Sequence, residues 1–331
     1  MSLGTTTDAV VFEKPGKAVL RSVDLITPQD TDLLVDIEAT GVSTGTEKML
    51  WDGTMPSFPG LGYPLVPGYE AVGTVRQAGP ECNLKPGQRV FVPGASCYKG
   101  DVRGLFGGSA SVLVAPEARV MPIASLPAEQ ATLLALAPTA MHILTYSVRQ
   151  SRPGKDLAIT DILPHAPNLI VGHGVLGRLL ARICLAVGAE APQIWELDPQ
   201  RQQGAVGYEV AAPETDISPC THIVDVSGAG GQNFNRLIKR LAKGGRLTLG
   251  GFYKEPVQFD FAPAFMREAT LGIAAEWVRD DLAMTLALVQ AGALSLDGLV
   301  THQYTCDRAA DAYSTAFNDA SCLKMILNWS V

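Results

Sequence analysis

The residues with the plainest chemical purpose are three glycines. Gly172, Gly174 and Gly177 fill a G-x-G-x-x-G pattern inside Leu169-Ile170-Val171-Gly172-His173-Gly174-Val175-Leu176-Gly177. In that pattern the first glycine makes a tight turn, the second lets backbone approach a pyrophosphate, and the third packs helix against strand. The apolar run before the turn reads as a strand, and Val175–Val187 reads as an amphipathic helix closed by Gly188. Free N–H groups at that helix start favour phosphates, with His173, Val175 and Leu176 completing the cofactor turn. A second strand-like run, Gln193-Ile194-Trp195, ends at Glu196. A carboxylate there grips the hydroxyls of an adenosine ribose and repels a 2′-phosphate, so the expected cofactor is NAD rather than NADP. Asp198 takes that role if the strand ends later. Three further segments concentrate turn residues and reactive side chains: Gly41–Lys48 with Ser43, Thr46 and Lys48; Pro67–Gly73 with Tyr69 and Glu70; and Pro138–His142 with Thr139.

Two textures along the chain must position these groups. Up to about residue 135, short β-type runs (Val10–Phe12, Ala18–Ser22, Leu33–Thr40, Ala71–Gln77, Arg89–Val92, Ser111–Val114) are separated by Gly and Pro, which predicts a β-rich, barrel-like domain. From about 137 to 293 strands alternate with helices, the pattern of a doubly wound parallel α/β sheet. Ser227 and Gly250 follow two of its strands, where a nicotinamide half would lie. The tail returns to β texture and is expected to rejoin the first domain, giving domains of 1–136 with 294–331, and 137–293. Gln150–Pro167 reads as a loop insertion. Of 331 residues 18% are charged, with a net charge of −7, which argues against nucleic acid as a partner. The six cysteines are scattered, as free thiols in a reducing compartment would be. No basic-then-apolar leader opens the chain, and the apolar segment Ala131–Leu144 is interrupted and short for a bilayer span. The expectation is a soluble, cytoplasmic protein.

The order Gly41-Val42-Ser43, Gly68-Tyr69-Glu70-Ala71-Val72-Gly73, Gly172–Gly177 resembles the medium-chain dehydrogenase/reductase superfamily of alcohol dehydrogenases, over nearly the whole chain. The resemblance implies a GroES-like catalytic domain beside a Rossmann NAD-binding domain, and a homodimer. In the zinc enzymes of that superfamily Cys stands where Ser43 is, His where Tyr69 is, and a second Cys where Ala135 aligns; the four-cysteine structural lobe is missing as well. Ser, Tyr and Ala do not make a tetrahedral zinc site, so no metal is expected. A closer similarity lies in Ser43–Lys48, Tyr63–Glu70, Val102–Gly108, Val171–Arg178, Pro263–Ala269, Ala275–Trp277 and Cys322–Leu327. Together these resemble the branch serving bacteriochlorophyll synthesis. That implies oxidation of the C3 1-hydroxyethyl group of a chlorin or bacteriochlorin to acetyl, with NAD as hydride acceptor and a small-molecule pigment as substrate. Such a substrate would keep the protein near membranes or pathway enzymes.

Without zinc, a side chain must take the alcohol proton and stabilise the developing oxyanion. Tyr69 is the first candidate, as hydrogen-bond donor or, with its pKa lowered by the Lys48 ammonium, as base. Ser43 and Thr46 are candidate relays, His142 is a second candidate base, and Glu70 would brace the site. Thr139 aligns near the nicotinamide amide. Each has a plainer alternative: a packed Tyr69, a core His142, a solvated Lys48. Arg103 could pair with a pigment carboxylate or sit in surface pairing. Trp51, Phe58, Tyr63, Phe106 and Trp277 could line a macrocycle pocket or be ordinary core. Two other functions share the fold: a zinc-free quinone or enoyl reductase, disfavoured by Glu196, and a non-enzymatic dinucleotide-binding sensor.

Overall fold

The structure, a computed structural model, describes residues 6–57, 59–213, 219–229 and 232–329. It divides into two compact units, Met1–Ala135 with Asp297–Val331, and Leu136–Leu296.

In the first unit the strand Asp32–Val42 is central. It pairs antiparallel with Ala71–Ala78, with Val112–Pro116 and with the C-terminal strand Met325–Asn328. Its run of Leu, Val and Ile suits a strand of eleven residues enclosed on both faces.

 Of the eleven, nine are buried, and Asp36 and Glu38 are the half-buried pair. The register sets Met325 opposite Val42 and Ala71 opposite Thr40, so Gly41, Glu70 and Lys324 meet where the central strand runs into Ser43. The strand Arg89–Val92 extends the sheet from Ala71–Ala78, and the hairpin Thr6–Lys14/Lys17–Asp24 forms a separate two-stranded sheet. The helix Thr46–Asp52 starts three residues after Ser43, and the helix Ala309–Asn318 precedes the last strand.

In the second unit six parallel strands run in the order Glu209–Ala211, Gln193–Trp195, Leu169–Val171, Cys220–Asp225, Leu241–Leu249, Thr270–Ile273. This is the 3-2-1-4-5-6 order of a Rossmann sheet, whose order reverses between Leu169–Val171 and Cys220–Asp225. The glycine turn and Ser227 emerge at the carboxyl ends of those two strands. Leu169–Val171 is buried throughout, as a short apolar central strand must be.

Two expectations need correction. Gln150–Pro167 is not a structureless loop: it holds the short helix Ile159–Ile162 and a 3-10 turn, Leu163–His165. The Asp161 carboxylate accepts the Ala158 N–H at 2.9 Å and Ile162 is buried, a local cap plus one apolar anchor that the polar composition hid. The helical stretch Ala128–Ser151 is also longer than the interrupted apolar run suggested. It is long and apolar enough to cross a membrane by length and composition, yet 83% of its apolar window is buried within the protein.

Candidate active site

The glycine turn is built as its spacing requires. Gly172 has φ +104°, a left-handed conformation that a side chain would strain, and a Cβ there would lie 2.9 Å from the Ser227 Cα. A Cβ on Gly177 would stand 1.9 Å from the Gly172 carbonyl oxygen, so helix Val175–Ala186 can approach the strand only with glycine at this point. Gly174 differs: a Cβ there would meet nothing within 4 Å. Its surroundings leave room beside the helix start, where a pyrophosphate fits the free N–H groups. Glu196 follows directly after the strand Gln193–Trp195, ahead of Asp198, and each of its oxygens accepts one backbone N–H: His173 at 2.9 Å and Asp198 at 3.0 Å. Each carboxylate oxygen keeps a lone pair for a ribose hydroxyl. Val175 and Leu176 lie in the first turn of the helix.

His173 does more than space two glycines. Its Nδ1 lies 2.6 Å from the Arg201 carbonyl and its Nε2 2.8 Å from the Tyr208 hydroxyl, and burial pushes its pKa down to about 4. The neutral ring therefore donates from Nδ1 and accepts at Nε2. Arg178 donates to the carbonyls of His173, Arg201, Gln203 and Gly204 at 2.6–3.1 Å. The loop after the acid-bearing strand is thereby tied to the phosphate turn. Sequence spacing offers no signal for this, because the two ends lie more than twenty residues apart. Ser227 donates its N–H and hydroxyl to Asp225 at 2.8 and 2.7 Å. Gly250 packs so closely on Ile143 that a Cβ would come within 2.5 Å of it.

The second group of candidates converges at the end of the central strand of the first unit. Tyr69 is half-buried, its hydroxyl faces the Ser43 and Thr46 side chains, and its ring meets Phe106 edge-on at 5.2 Å. Burial, reinforced by the charges of Glu70 and Glu47, holds the phenol well above its usual pKa. The phenolate expected from a Lys48 neighbour is thus corrected: the Lys48 ammonium donates to the Phe317 carbonyl at 2.6 Å and ties two helices together. Glu70 is fully buried and salt-bridged to Lys324, whose Nζ lies 2.7 and 2.6 Å from its two oxygens and 3.3 Å from the Val42 carbonyl. Burial still raises the Glu70 pKa, with Lys324 opposing it. Glu47, also buried, accepts the Ser43 N–H at 3.0 Å and the Tyr313 hydroxyl at 3.1 Å. Neither Glu47, Lys324 nor Tyr313 stood out in the sequence; an acid reaching back to an N–H ahead of its own helix is the one local signal.

The other candidates are dispersed. His142 lies on helix Leu136–Ser151 in one stripe with Thr145 and Arg149, and all three meet Asp281 at 2.7, 2.7 and 3.1 Å. Thr139 is half-buried on the same helix. Arg103 is exposed and donates to the Leu61 carbonyl at 3.3 Å. Trp51 stacks on Tyr313 in the core, the Tyr63 hydroxyl donates to the Leu50 carbonyl, and Trp277 is half-buried in the second unit; Phe58 lies outside the described residues. Among the described residues no three His, Cys, Asp or Glu side chains gather as a metal set, and the Ser43, Tyr69 and Ala135 side chains do not have the donor chemistry zinc prefers.

Residues 29–125 match the alcohol dehydrogenase GroES-like domain. The chain is 51% identical to the 2-desacetyl-2-hydroxyethyl bacteriochlorophyllide A dehydrogenase of Rhodobacter capsulatus and 47% identical to that of Cereibacter sphaeroides, covering 98% of both chains in each case. Among solved structures it resembles an alcohol dehydrogenase from Escherichia coli complexed with NADH (TM-score 0.79, 17% identity, 98% of this chain and 100% of that one). It is also similar in fold to a dehydrogenase from Sinorhizobium meliloti bound to NADP (TM-score 0.76, 19% identity, 98% and 100%).

Proposed function

The chain belongs to the 2-desacetyl-2-hydroxyethyl bacteriochlorophyllide A dehydrogenase family of alcohol-dehydrogenase-like enzymes, and on that premise we propose that it oxidises the C3 1-hydroxyethyl group of a bacteriochlorophyllide to acetyl, with NAD+ and without zinc. The observation that carries this reading is the 51% identity across 98% of both chains. NAD is supported by the Glu196 carboxylate, whose charge opposes a 2′-phosphate, and a zinc-free reaction by Ser, Tyr and Ala at the three donor positions. The nicotinamide, when bound, accepts a hydride. The turn Gly172–Gly177 would hold its pyrophosphate and Glu196 its ribose.

The chain's own residues handle the proton. Tyr69, kept protonated above all by burial, donates a hydrogen bond to the substrate oxygen and stabilises the alkoxide charge that grows there as the alcohol proton leaves, until hydride transfer discharges it into the carbonyl. The alcohol proton passes to the hydroxyls of Ser43 and Thr46, which face the phenol, and on to water. Glu70, fixed by Lys324, anchors the strand start behind Tyr69. His142 is committed to Asp281 and takes no part in this scheme. We further propose a cytoplasmic homodimer.

The test is an assay of purified protein with NAD+ and 3-(1-hydroxyethyl)bacteriochlorophyllide a, following NADH formation and the shift of the pigment's long-wavelength band, with zinc measured in parallel. Matched NADH and acetyl pigment at substoichiometric zinc is the expected result. NADH binding without pigment turnover would remove the assignment, and reduction of an alkene instead would move it to a quinone or enoyl reductase. Tyr69→Phe should lower kcat by roughly 10²- to 10⁴-fold.

A further inference from the structure

Phe106 has a backbone φ of +67°, which is rare for a bulky residue and is strained without support. Its neighbours supply the support. Its carbonyl accepts the Ala95 N–H at 2.7 Å, and next to it Gly107 donates to the Val66 carbonyl at 3.1 Å. Gly108 donates to Gly68 at 2.7 Å and Ser109 to Pro67 at 2.9 Å, while the Tyr98 hydroxyl holds the Gly107 carbonyl at 2.6 Å. Glycines make the approach feasible: a Cβ on Gly107 would stand 1.9 Å from the Ala95 carbonyl oxygen, and one on Gly94 would stand 2.1 Å from that of Phe106. The loop is thus stapled to the segment Val66–Gly68 that leads into Tyr69, and its only bulky strained residue puts a half-buried ring edge-on against the Tyr69 ring.

A packing role alone would not require strain, since a glycine occupies this backbone freely. We propose that Phe106 is the substrate-recognition residue of the site, its ring forming the apolar wall on which a flat conjugated tetrapyrrole is seated beside Tyr69. This rests on the pigment-dehydrogenase reading above. The reacting group is a small secondary alcohol that needs no aromatic partner; the large flat ring that carries it does, and aromatic contact suits it.

The test is a binding titration of the full-length protein with 3-(1-hydroxyethyl)bacteriochlorophyllide a in the presence of NADH, which cannot accept hydride, followed by pigment absorbance. Phe106→Leu and Phe106→Gly should raise the pigment Kd about tenfold, while Phe106→Tyr, which keeps the ring, stays within about twofold of the parent. NADH affinity should be unchanged in all three. Phe106→Gly meets the φ requirement without strain, so at least one ring-less variant is expected to fold, which its melting curve checks. Unchanged pigment Kd in the ring-less variants, an equal loss in Phe106→Tyr, or a lower kcat at unchanged Kd would overturn the assignment. Failure of the unaltered protein to bind pigment while it binds NADH would instead remove the functional reading itself, and this assignment with it.

Discussion

Burial gathers two carboxyls, Glu47 and Glu70, and one ammonium, Lys324, at the end of the central strand of the first unit. Lys324 answers only Glu70 directly, and Gly41 leaves the space for it: a Cβ there would sit 1.9 Å from a Glu70 oxygen. Lys324→Met should therefore cost about 3–5 kcal/mol in urea unfolding, because it strands a buried charge. Adding Glu70→Gln should recover most of that loss, and strictly additive losses would show that the pair is not coupled. Glu47 lacks such a partner. Burial, with some help from the Glu70 charge, pushes its carboxyl up to about 8, against the Ser43 N–H, the Lys324 charge and the Tyr313 hydroxyl. An acid with a raised folded pKa keeps its proton in the folded state while the unfolded chain has released it above about 4.3, so stability falls as pH rises through that window to about 8. The buried His173 and His222, both held near 4, oppose this fall only up to about pH 7, where the unfolded histidines finish losing their protons, so the Glu47 slope stands out between about pH 7 and 8. Over that range the melting temperature should decline, and Glu47→Gln should flatten the decline; equal slopes would refute the assignment.

At the scale of elements, the glycine turn was readable in sequence because strand, turn and helix share one short stretch, and Gly177 answers the Gly172 carbonyl inside it. Gly177 and Gly174 separate stability from binding. Gly177→Ala drives a Cβ into the Gly172 carbonyl and should destabilise the fold by roughly 1–3 kcal/mol. Gly174→Ala meets no protein atom, and its φ of −71° suits alanine, so the melting temperature should hold. NADH binding should nevertheless weaken by about tenfold, since the new methyl occupies space proposed for the pyrophosphate. Calorimetry and fluorescence titration on the two variants check this, and a Gly174→Ala protein with parental NADH affinity would contradict it. What the pattern could not show is the clamp behind it. Arg178 fits the helix period like any other residue, yet its guanidinium holds carbonyls of the loop at Arg201–Gly204.

For the whole molecule, alternation of strand and helix announced the parallel sheet, and the β texture of the tail matched the pairing of Met325–Asn328 with the central strand. The partners that tune Tyr69 stayed hidden for a simple reason: Lys324 reaches Glu70 from the far end of the chain, and Tyr313 reaches Glu47 likewise, so no spacing rule connects them. The same holds for Lys48, whose charge implied a catalytic neighbour until a distant carbonyl claimed it. One feature of the molecular surface remains unsatisfied. Thr270–Ile273 is an edge strand of the six-stranded sheet, and Ile273 on it is 67% exposed. The helix Phe261–Met266 just before it exposes Phe261, Phe265 and Met266 at 72%, 65% and 71%. An open edge flanked by large apolar side chains is a template for another chain, and a second copy placed by a two-fold axis would cover both edges with the same surface. The protein of 35.0 kDa should therefore elute in light-scattering chromatography with twice that mass. Phe265→Asp with Ile273→Lys should shift it to the monomer at micromolar concentration, with its far-UV circular dichroism retained. A monomeric parent protein at that concentration would show that this apolar edge serves something other than self-association.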